Sequence, residues 1–305
     1  MFTSKKAILS AIVLGAGILL GTSLLGQAKV SDDLQLGPRP QGMGGAFIAV
    51  ADDINAGYWN PAGIPQLNKK ALGFMHSNPF GLGDISLNYL SFIHPTALSF
   101  LGGGFGLSFA KQSAQLEQGE GASINEMEEN TYILSLGGAL PDASLYFGAN
   151  FKALSVSETD EGISRAGSAY DLGLLYYPAP KISLGLMLRN LSARLGEENF
   201  STDTRVGIAG RLLDDRLLLA ADYASKEDVA GKKGTSWQTH LGAEYWLTNT
   251  FALRVGSDKG NMTAGFGLTF NLLGAGAPEG VLDYSYRQDE ELGYTHRFAL
   301  TALWD

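Results

Sequence analysis

The chain contains no cysteine, which removes any disulfide framework, thiolate metal site, cysteine nucleophile or lipid-modified amino-terminal cysteine. It is also poor in charge. Only 17% of its residues are Asp, Glu, Lys or Arg, against ~25% in an ordinary globular domain. Basic residues are the scarcer kind, 22 against 31 acidic, for a formal net charge of −9. No basic stripe is available to neutralise phosphates, so the composition argues against a nucleic-acid partner. Past residue 25 no stretch approaches the ~18 consecutive apolar residues that a membrane-crossing helix needs.

Catalytic and cofactor patterns are thin as well. His76, His94, His240 and His296 are scattered without zinc-ligand spacing. No serine sits in a Gly-x-Ser-x-Gly elbow. Gly102-x-Gly104-x-Gly106 lacks the following helix that a dinucleotide loop requires, and Gly42-x-Gly44-Gly45 leads into no Gly-Lys-Ser/Thr. Asp52-Asp53 could contribute to a Ca²⁺ site, but adjacent carboxylates diverge and further oxygen ligands would be needed. Capping or anchoring of the surrounding segment is the alternative. The reading is a non-enzymatic protein without a cofactor.

Glycine is what the chain has in excess. Its 40 glycines in 305 residues are roughly twice the typical ~7%. They follow no collagen period, and they suit strands, tight turns and closely approaching backbone.

The first 28 residues read as an export signal. Lys5 and Lys6 precede an uncharged run over residues 7–25, and Gly26-Gln27-Ala28 offers a small-x-small cleavage site. The run is also long enough to remain as an inner-membrane anchor.

From about residue 71 the chain alternates with period two. Trp237, Thr239, Leu241, Ala243, Tyr245 and Leu247 fall on one face, opposite Gln238, His240, Gly242 and Glu244. Leu145, Phe147, Ala149 and Phe151 oppose Tyr146, Gly148, Asn150 and Lys152; Met262, Ala264, Phe266, Leu268 and Phe270 oppose Thr263, Gly265, Gly267, Thr269 and Asn271. This is the pattern of pleated strands. The segments run to about 9–13 residues, the length a tilted strand needs to cross a bilayer (~9–11) rather than the ~5–6 of a globular sheet.

About fourteen such segments begin near 71, 85, 96, 129, 143, 167, 181, 203, 215, 236, 249, 261, 280 and 293. Tight turns are expected at His94-Pro95, Leu140-Pro141-Asp142, Pro178-Ala179-Pro180, Asp214-Asp215 and Thr248-Asn249. They alternate with longer polar stretches at 111–128, 157–166, 193–202 and 225–235, the two-rim asymmetry of an outer-membrane barrel. The expected fold is all-β: an antiparallel transmembrane barrel of about 14 strands over residues 71–305. A closed sheet is required because an open edge in lipid would leave backbone groups unpaired.

One face of these segments is almost free of charge. The other carries Lys152, Asp171, Arg189, Arg205, Arg211, Asp222, Glu244, Arg254, Asp258, Asp283, Arg287 and Arg297, which predicts ion pairs in the lumen. Two uses are open for them: mutual satisfaction inside a plugged barrel, or a substrate path. Tyr176, Tyr177, Trp237, Trp246, Tyr294 and Trp304 fall near strand ends, where an aromatic girdle is expected.

Residues 34–70 do not alternate. Short helical turns are expected at 43–51 and 54–58, and the segment, within a unit spanning residues 29–70, is too small for a domain of its own. Here the run Gly42-Met43-Gly44-Gly45-Ala46-Phe47-Ile48-Ala49-Val50-Ala51-Asp52-Asp53, followed by Tyr58-Trp59-Asn60-Pro61-Ala62-Gly63, resembles the amino-terminal signature of the PorV/PorQ-type proteins. These group with the FadL-like outer-membrane transporters.

The resemblance implies a fourteen-stranded barrel plugged by an amino-terminal hatch, with Asn60, Pro61 and Ala62 in that hatch. It also implies a sideways exit at a kink in the third strand, where this chain has Gly102, Gly103, Gly104 and Gly106. The alternative is that those glycines simply lie against the hatch backbone. Expected partners are outer-membrane lipid and a small hydrophobic compound or, as in PorV-type relatives, proteins of a secretion system. The acidic stretch 117–129 (Glu117, Glu120, Glu126, Glu128, Glu129) is a candidate contact for such partners, or a solvated loop.

Overall fold

The computed structural model describes residues 34–305 except 83, 118–123, 141, 143, 160–161, 200, 228–234, 272–277 and 290–292. The signal segment and the centre of the acidic 117–129 stretch lie outside the described residues.

Fourteen long antiparallel strands form one closed sheet. In chain order they are β1 (Lys70–Asn78), β2 (Ile85–Leu98), β3 (Gly103–Glu117), β4 (Ile124–Leu140), β5 (Leu145–Glu158), β6 (Ile163–Ala179), β7 (Ile182–Leu195), β8 (Asp203–Leu212), β9 (Leu217–Glu227), β10 (Thr235–Trp246), β11 (Phe251–Asp258), β12 (Asn261–Asn271), β13 (Glu279–Asp289) and β14 (Gly293–Trp304). A two-residue strand, Glu198–Asn199, folds back on the end of β7. Each strand pairs with its neighbours in sequence, and β14 pairs with β1 from Lys70↔Trp304 to Asn78↔His296, which closes the cylinder.

The period-two pattern determines what faces out. Leu72, Phe74, Leu134, Leu136, Phe151, Leu172, Leu174, Leu241, Leu253, Phe298 and Leu300 are exposed on the outer surface. The alternate positions Lys152, Asp171, Arg205, Asp222, Glu244, Arg254, Asp283 and Arg297 are buried toward the lumen. A cylinder greasy outside and ionic inside is unfavourable in water and favourable in hydrocarbon, where its backbone groups are already paired. Outward aromatics stack across strands, as with Tyr223 and Trp237, whose centroids are 4.7 Å apart and 8° from parallel. Trp246 and Tyr177, expected in the girdle, turn inward: Trp246 lines a luminal cavity and the Tyr177 hydroxyl donates to Gln66 Oε1.

One expected turn is misplaced. His94 and Pro95 lie inside β2, and the chain reverses at Ser99–Leu101 and Gly102, whose φ is 62°. The β2–β3 ladder is interrupted between His94 and Leu98. Proline has no N–H to give a ladder, and a bulge is where a strand tolerates it.

Residues 34–69 lie within the lumen and rejoin the wall at β1. Of the helical turns expected at 43–51, only isolated turns form, with the Ala51 amide donating to the Phe47 carbonyl oxygen at 3.0 Å. Instead α1 spans Pro38–Gly42, α2 spans Ala56–Trp59, and a 3-10 turn spans Pro61–Gln66. Gly44 and Gly45 adopt φ of 65° and 78°, which ends any helix after α1. Leu36, Met43, Ala46, Phe47, Ile48, Ala56, Ala62 and Ile64 are fully buried and form the apolar core between segment and wall.

Candidate functional site

The site is the seam between this luminal segment and the barrel wall, built first by glycine. Strand after strand presents a side-chain-free position where the segment touches. Gly137, Gly148 and Gly173 are paired side by side across β4, β5 and β6, as are Gly185 with Gly207 and Gly242 with Gly256. A Cβ on Gly148 would stand 2.4 Å from the Ala62 amide nitrogen, and one on Gly242 would stand 2.4 Å from the Met43 carbonyl oxygen. The segment's own Gly44 returns the fit, since a Cβ there would meet the Leu241 carbonyl oxygen at 2.4 Å. Backbone therefore lies on backbone, which accounts for much of the glycine excess.

Asn60 fastens the segment at this level. Its side chain is fully buried. Nδ2 donates to the Ile48 carbonyl oxygen at 2.9 Å and to that of Leu174 on β6 at 3.1 Å, while Oδ1 accepts from the Ala62 amide at 3.2 Å and caps the 3-10 turn. Pro61 starts that turn, where a missing N–H is harmless.

Charge then fixes the segment laterally. Arg39 reaches Glu244 with two parallel hydrogen bonds, Nε to Oε2 at 2.8 Å and Nη2 to Oε1 at 2.9 Å. Its Nη1 also donates to Asp52 at 2.6 Å and to Asp53 at 3.1 Å. Glu244 is shared with Arg254 at 2.7 Å, and Arg254 continues to Asp283 at 2.6 Å. Arg211 holds the other oxygen of Asp52 at 2.5 Å. Burial works against the Arg39 charge, but Asp52, Glu244 and Asp53 more than offset it and raise its pKa well above the ordinary value. Burial pushes the Asp53 carboxyl above its usual range against the pull of Arg39. Both aspartates are thus engaged with arginines, and Asp53 Oδ1 also accepts from the Asn55 amide at 2.8 Å.

The remaining predicted luminal charges sort differently. Asp222 meets the segment's backbone, accepting from the Phe47 and Ile48 amides at 2.7 and 2.9 Å. Arg205 pairs with Asp203, two residues earlier on the same strand, at 2.8 Å and lies over the Trp59 ring at 6.0 Å. Arg297 is buried on the luminal face of β14. Lys152, Asp171 and Asn150 form a second cluster, with Asn150 donating to the Gly57 carbonyl oxygen at 2.9 Å. Gln35 and Arg287 converge on Asp258 at 2.9 and 3.1 Å at the opposite end of the segment. The sequence pointed these charges inward; it did not reveal that Arg39, outside the alternating region, joins Asp52, Asp53 and Glu244.

The glycines of β3 serve the wall. A Cβ on Gly104 would stand 1.9 Å from the His94 carbonyl oxygen, and one on Gly103 would stand 2.1 Å from that of Gly137. Gly106 meets Ile93 and Ser135 at ordinary distances. Their nearest neighbours are strands β2 and β4 rather than the luminal segment, and the β3–β4 ladder is unbroken from Gly104 to Glu117. The most irregular seam is β6–β7, where the register shifts on both sides of the Tyr170↔Leu191 pair and Asn190 and Ser192 take φ of 59° and 51°. There the Asn190 amide donates to Asp171 Oδ1 at 2.9 Å instead of to a strand.

Two cavities flank the segment. One of ≈ 360 Å³ lies in the lumen toward the short turns, lined by Arg39, Asp52, Asp53, Lys69, Arg254 and Asp283 among others. The other, ≈ 420 Å³, is an outer groove across β4–β7 with no polar side chain in its lining.

No family model matches the sequence, and no curated protein matches it. Solved structures share its fold. The FadL homologue of Pseudomonas aeruginosa superposes with a TM-score of 0.56 at 11% identity, covering 85% of this chain and 96% of that one. The toluene transporter TbuX of Ralstonia pickettii gives 0.58 at 12% identity over 88% and 97%. The toluene transporter TodX of P. putida gives 0.58 at 11% identity over 88% and 97%.

Proposed function

We propose that this chain is an outer-membrane barrel, exported by its amino-terminal signal, that passes small hydrophobic compounds when the luminal segment releases its seat. The observation that carries the proposal is the segment itself. It is buried throughout its centre, it lies inside the cylinder, and it is held by contacts that can be broken without unfolding a strand. The shared fold with barrels described as toluene transporters supports the same reading.

In this reading Asn60, Pro61 and Ala62 with Gly42, Gly44 and Gly45 form the hatch. Asp52 and Asp53 connect it through Arg39 to Glu244, Arg254 and Asp283, which satisfy one another in the closed state. Passage into hydrocarbon is downhill for an apolar solute by ~25 cal/mol per Å² buried, so no energy source is needed. A sideways exit needs an interrupted ladder, and we assign it to the bulge between His94 and Leu98 on β2, facing the glycine run Gly102, Gly103, Gly104 and Gly106, or to the β6–β7 irregularity. Liposomes carrying the protein should take up a labelled fatty acid or toluene faster than empty liposomes, and Asn60→Ala should change that rate. Equal rates for all three would reject the transport reading.

The tight seating favours a second reading, in which the barrel stays plugged and serves as an outer-membrane partner in protein secretion or envelope assembly. Co-purification of a secretion component from a detergent extract, together with silent liposomes, would support it.

A further inference from the structure

The outer groove lies outside the lumen, on the lipid-facing surface of the wall. It is lined by Leu101, Gly138, Phe147, Ala149, Leu174 and Leu186 with their neighbours, and every lining residue is apolar. It lies on the face where Leu136, Leu172, Leu174 and Leu184 are exposed, close to the rim of short turns. Its floor is thin. Gly173 and Leu174 line it from outside, yet the Leu174 carbonyl oxygen accepts the Asn60 hydrogen bond, and a Cβ on Gly173 would stand 2.1 Å from Asn60 Oδ1. Gly137 and Gly148, also in its lining, carry Pro61 and Ala62 on their luminal side.

The geometry points to a structural phospholipid whose acyl chain occupies this groove and braces the wall strip on which Asn60 is anchored. A concave, wholly apolar surface in contact with hydrocarbon is filled by an alkyl chain, because neither water nor a polar solute finds a partner there. The head group has a place too. Five residues along β7 from Leu186, roughly 16 Å at strand rise, the exposed Lys181 stands in the β6–β7 turn with only a loose 3.5 Å pairing to Asp215. Tyr176 is exposed on β6 near the same rim. An ammonium and an amphipathic ring at that height suit a lipid phosphate at the interface.

Native mass spectrometry of the full mature protein, extracted in mild detergent from membranes, tests this directly. The wild type should retain one phospholipid. Ala149→Trp, which fills the groove, should lose it, whereas Ala264→Trp, at an exposed outward position on β12 away from the groove, should keep it. The Ala62 amide should exchange hydrogen about tenfold faster in delipidated than in lipid-loaded protein. Absence of a phospholipid from the wild type, a bound free fatty acid or detergent in its place, or retention by Ala149→Trp equal to Ala264→Trp would overturn the site. Retention with unchanged Ala62 exchange would overturn the bracing. None of these outcomes depends on whether the barrel transports anything.

Discussion

Replacing Gly148 by alanine tests whether the luminal segment is seated on the wall by backbone contact. The added methyl would stand 2.4 Å from the Ala62 nitrogen and 2.4 Å from the Pro61 carbonyl carbon. Both are backbone atoms and cannot rotate away. Either β5 shifts, which its two continuous ladders resist, or the segment lifts. Overpacking of this kind costs about 1–3 kcal/mol, which becomes a roughly 5- to 150-fold rise in the fraction of lifted segment at 1.4 kcal/mol per factor of ten. Gly210→Ala on β8 is the control, because its Cβ would find only the Lys181 carbonyl oxygen at 3.9 Å, and alanine there should be neutral or slightly stabilising. Hydrogen exchange of the Phe47 and Ala62 amides, measured in detergent micelles, reads the lifting without requiring the barrel to unfold. Equal exchange in Gly148→Ala and Gly210→Ala would refute the seating argument.

Arg39→Ala should leave Asp52, Asp53 and Glu244 without their shared cation and cost about 3–5 kcal/mol of segment stability, seen as earlier proteolysis within residues 34–69. Arg39→Lys should recover only part of this, because one ammonium cannot reproduce the two parallel bonds to Glu244. Asp53 carries a carboxyl whose pKa is raised in the folded state, so the folded form binds its proton more tightly than the unfolded form. Its contribution therefore falls as pH rises from the ordinary aspartate value of 3.8 through the raised one. Asp53→Asn should gain stability relative to wild type across that window and then hold a constant advantage, measured by thermal unfolding at a series of pH values; a difference that shrinks with rising pH would contradict the sign.

The barrel was legible because hydrocarbon imposes a simple rule on a strand. Leu241 and Tyr245 must face out and His240 and Glu244 must face in, and that alternation alone places all three of β10, β5 and β12 correctly. Turns were legible where the chain had no other use for a proline, as at Pro180, and misleading where a bulge absorbed one, as at Pro95. The segment's place in the lumen followed from its apolar content and its resemblance, but its contacts did not, because they are made by what is missing. Gly148, Gly173 and Gly242 occupy inward positions beside Asn150, Asp171 and Glu244, and that recurrence was the available signal. Trp246 and Tyr177 illustrate the opposite error: residence near a strand end does not say which face a ring is on, and the register does. Arg39 was invisible as a shared partner because Glu244 and Asp52 lie 205 and 13 residues away.

If the luminal segment closes the barrel, it must move for anything to pass. Because the chain has no cysteine, one disulfide can test it cleanly. A Cβ at Gly57 in α2 would lie 3.6 Å from the Ser135 Cβ on β4, within the ~3.5–4.5 Å that a disulfide spans. In liposomes, Gly57→Cys/Ser135→Cys should pass labelled hydrophobic solute at the rate of empty liposomes when oxidised and regain uptake on reduction. Undiminished uptake by the oxidised protein, with the cross-link confirmed by mass, would contradict it.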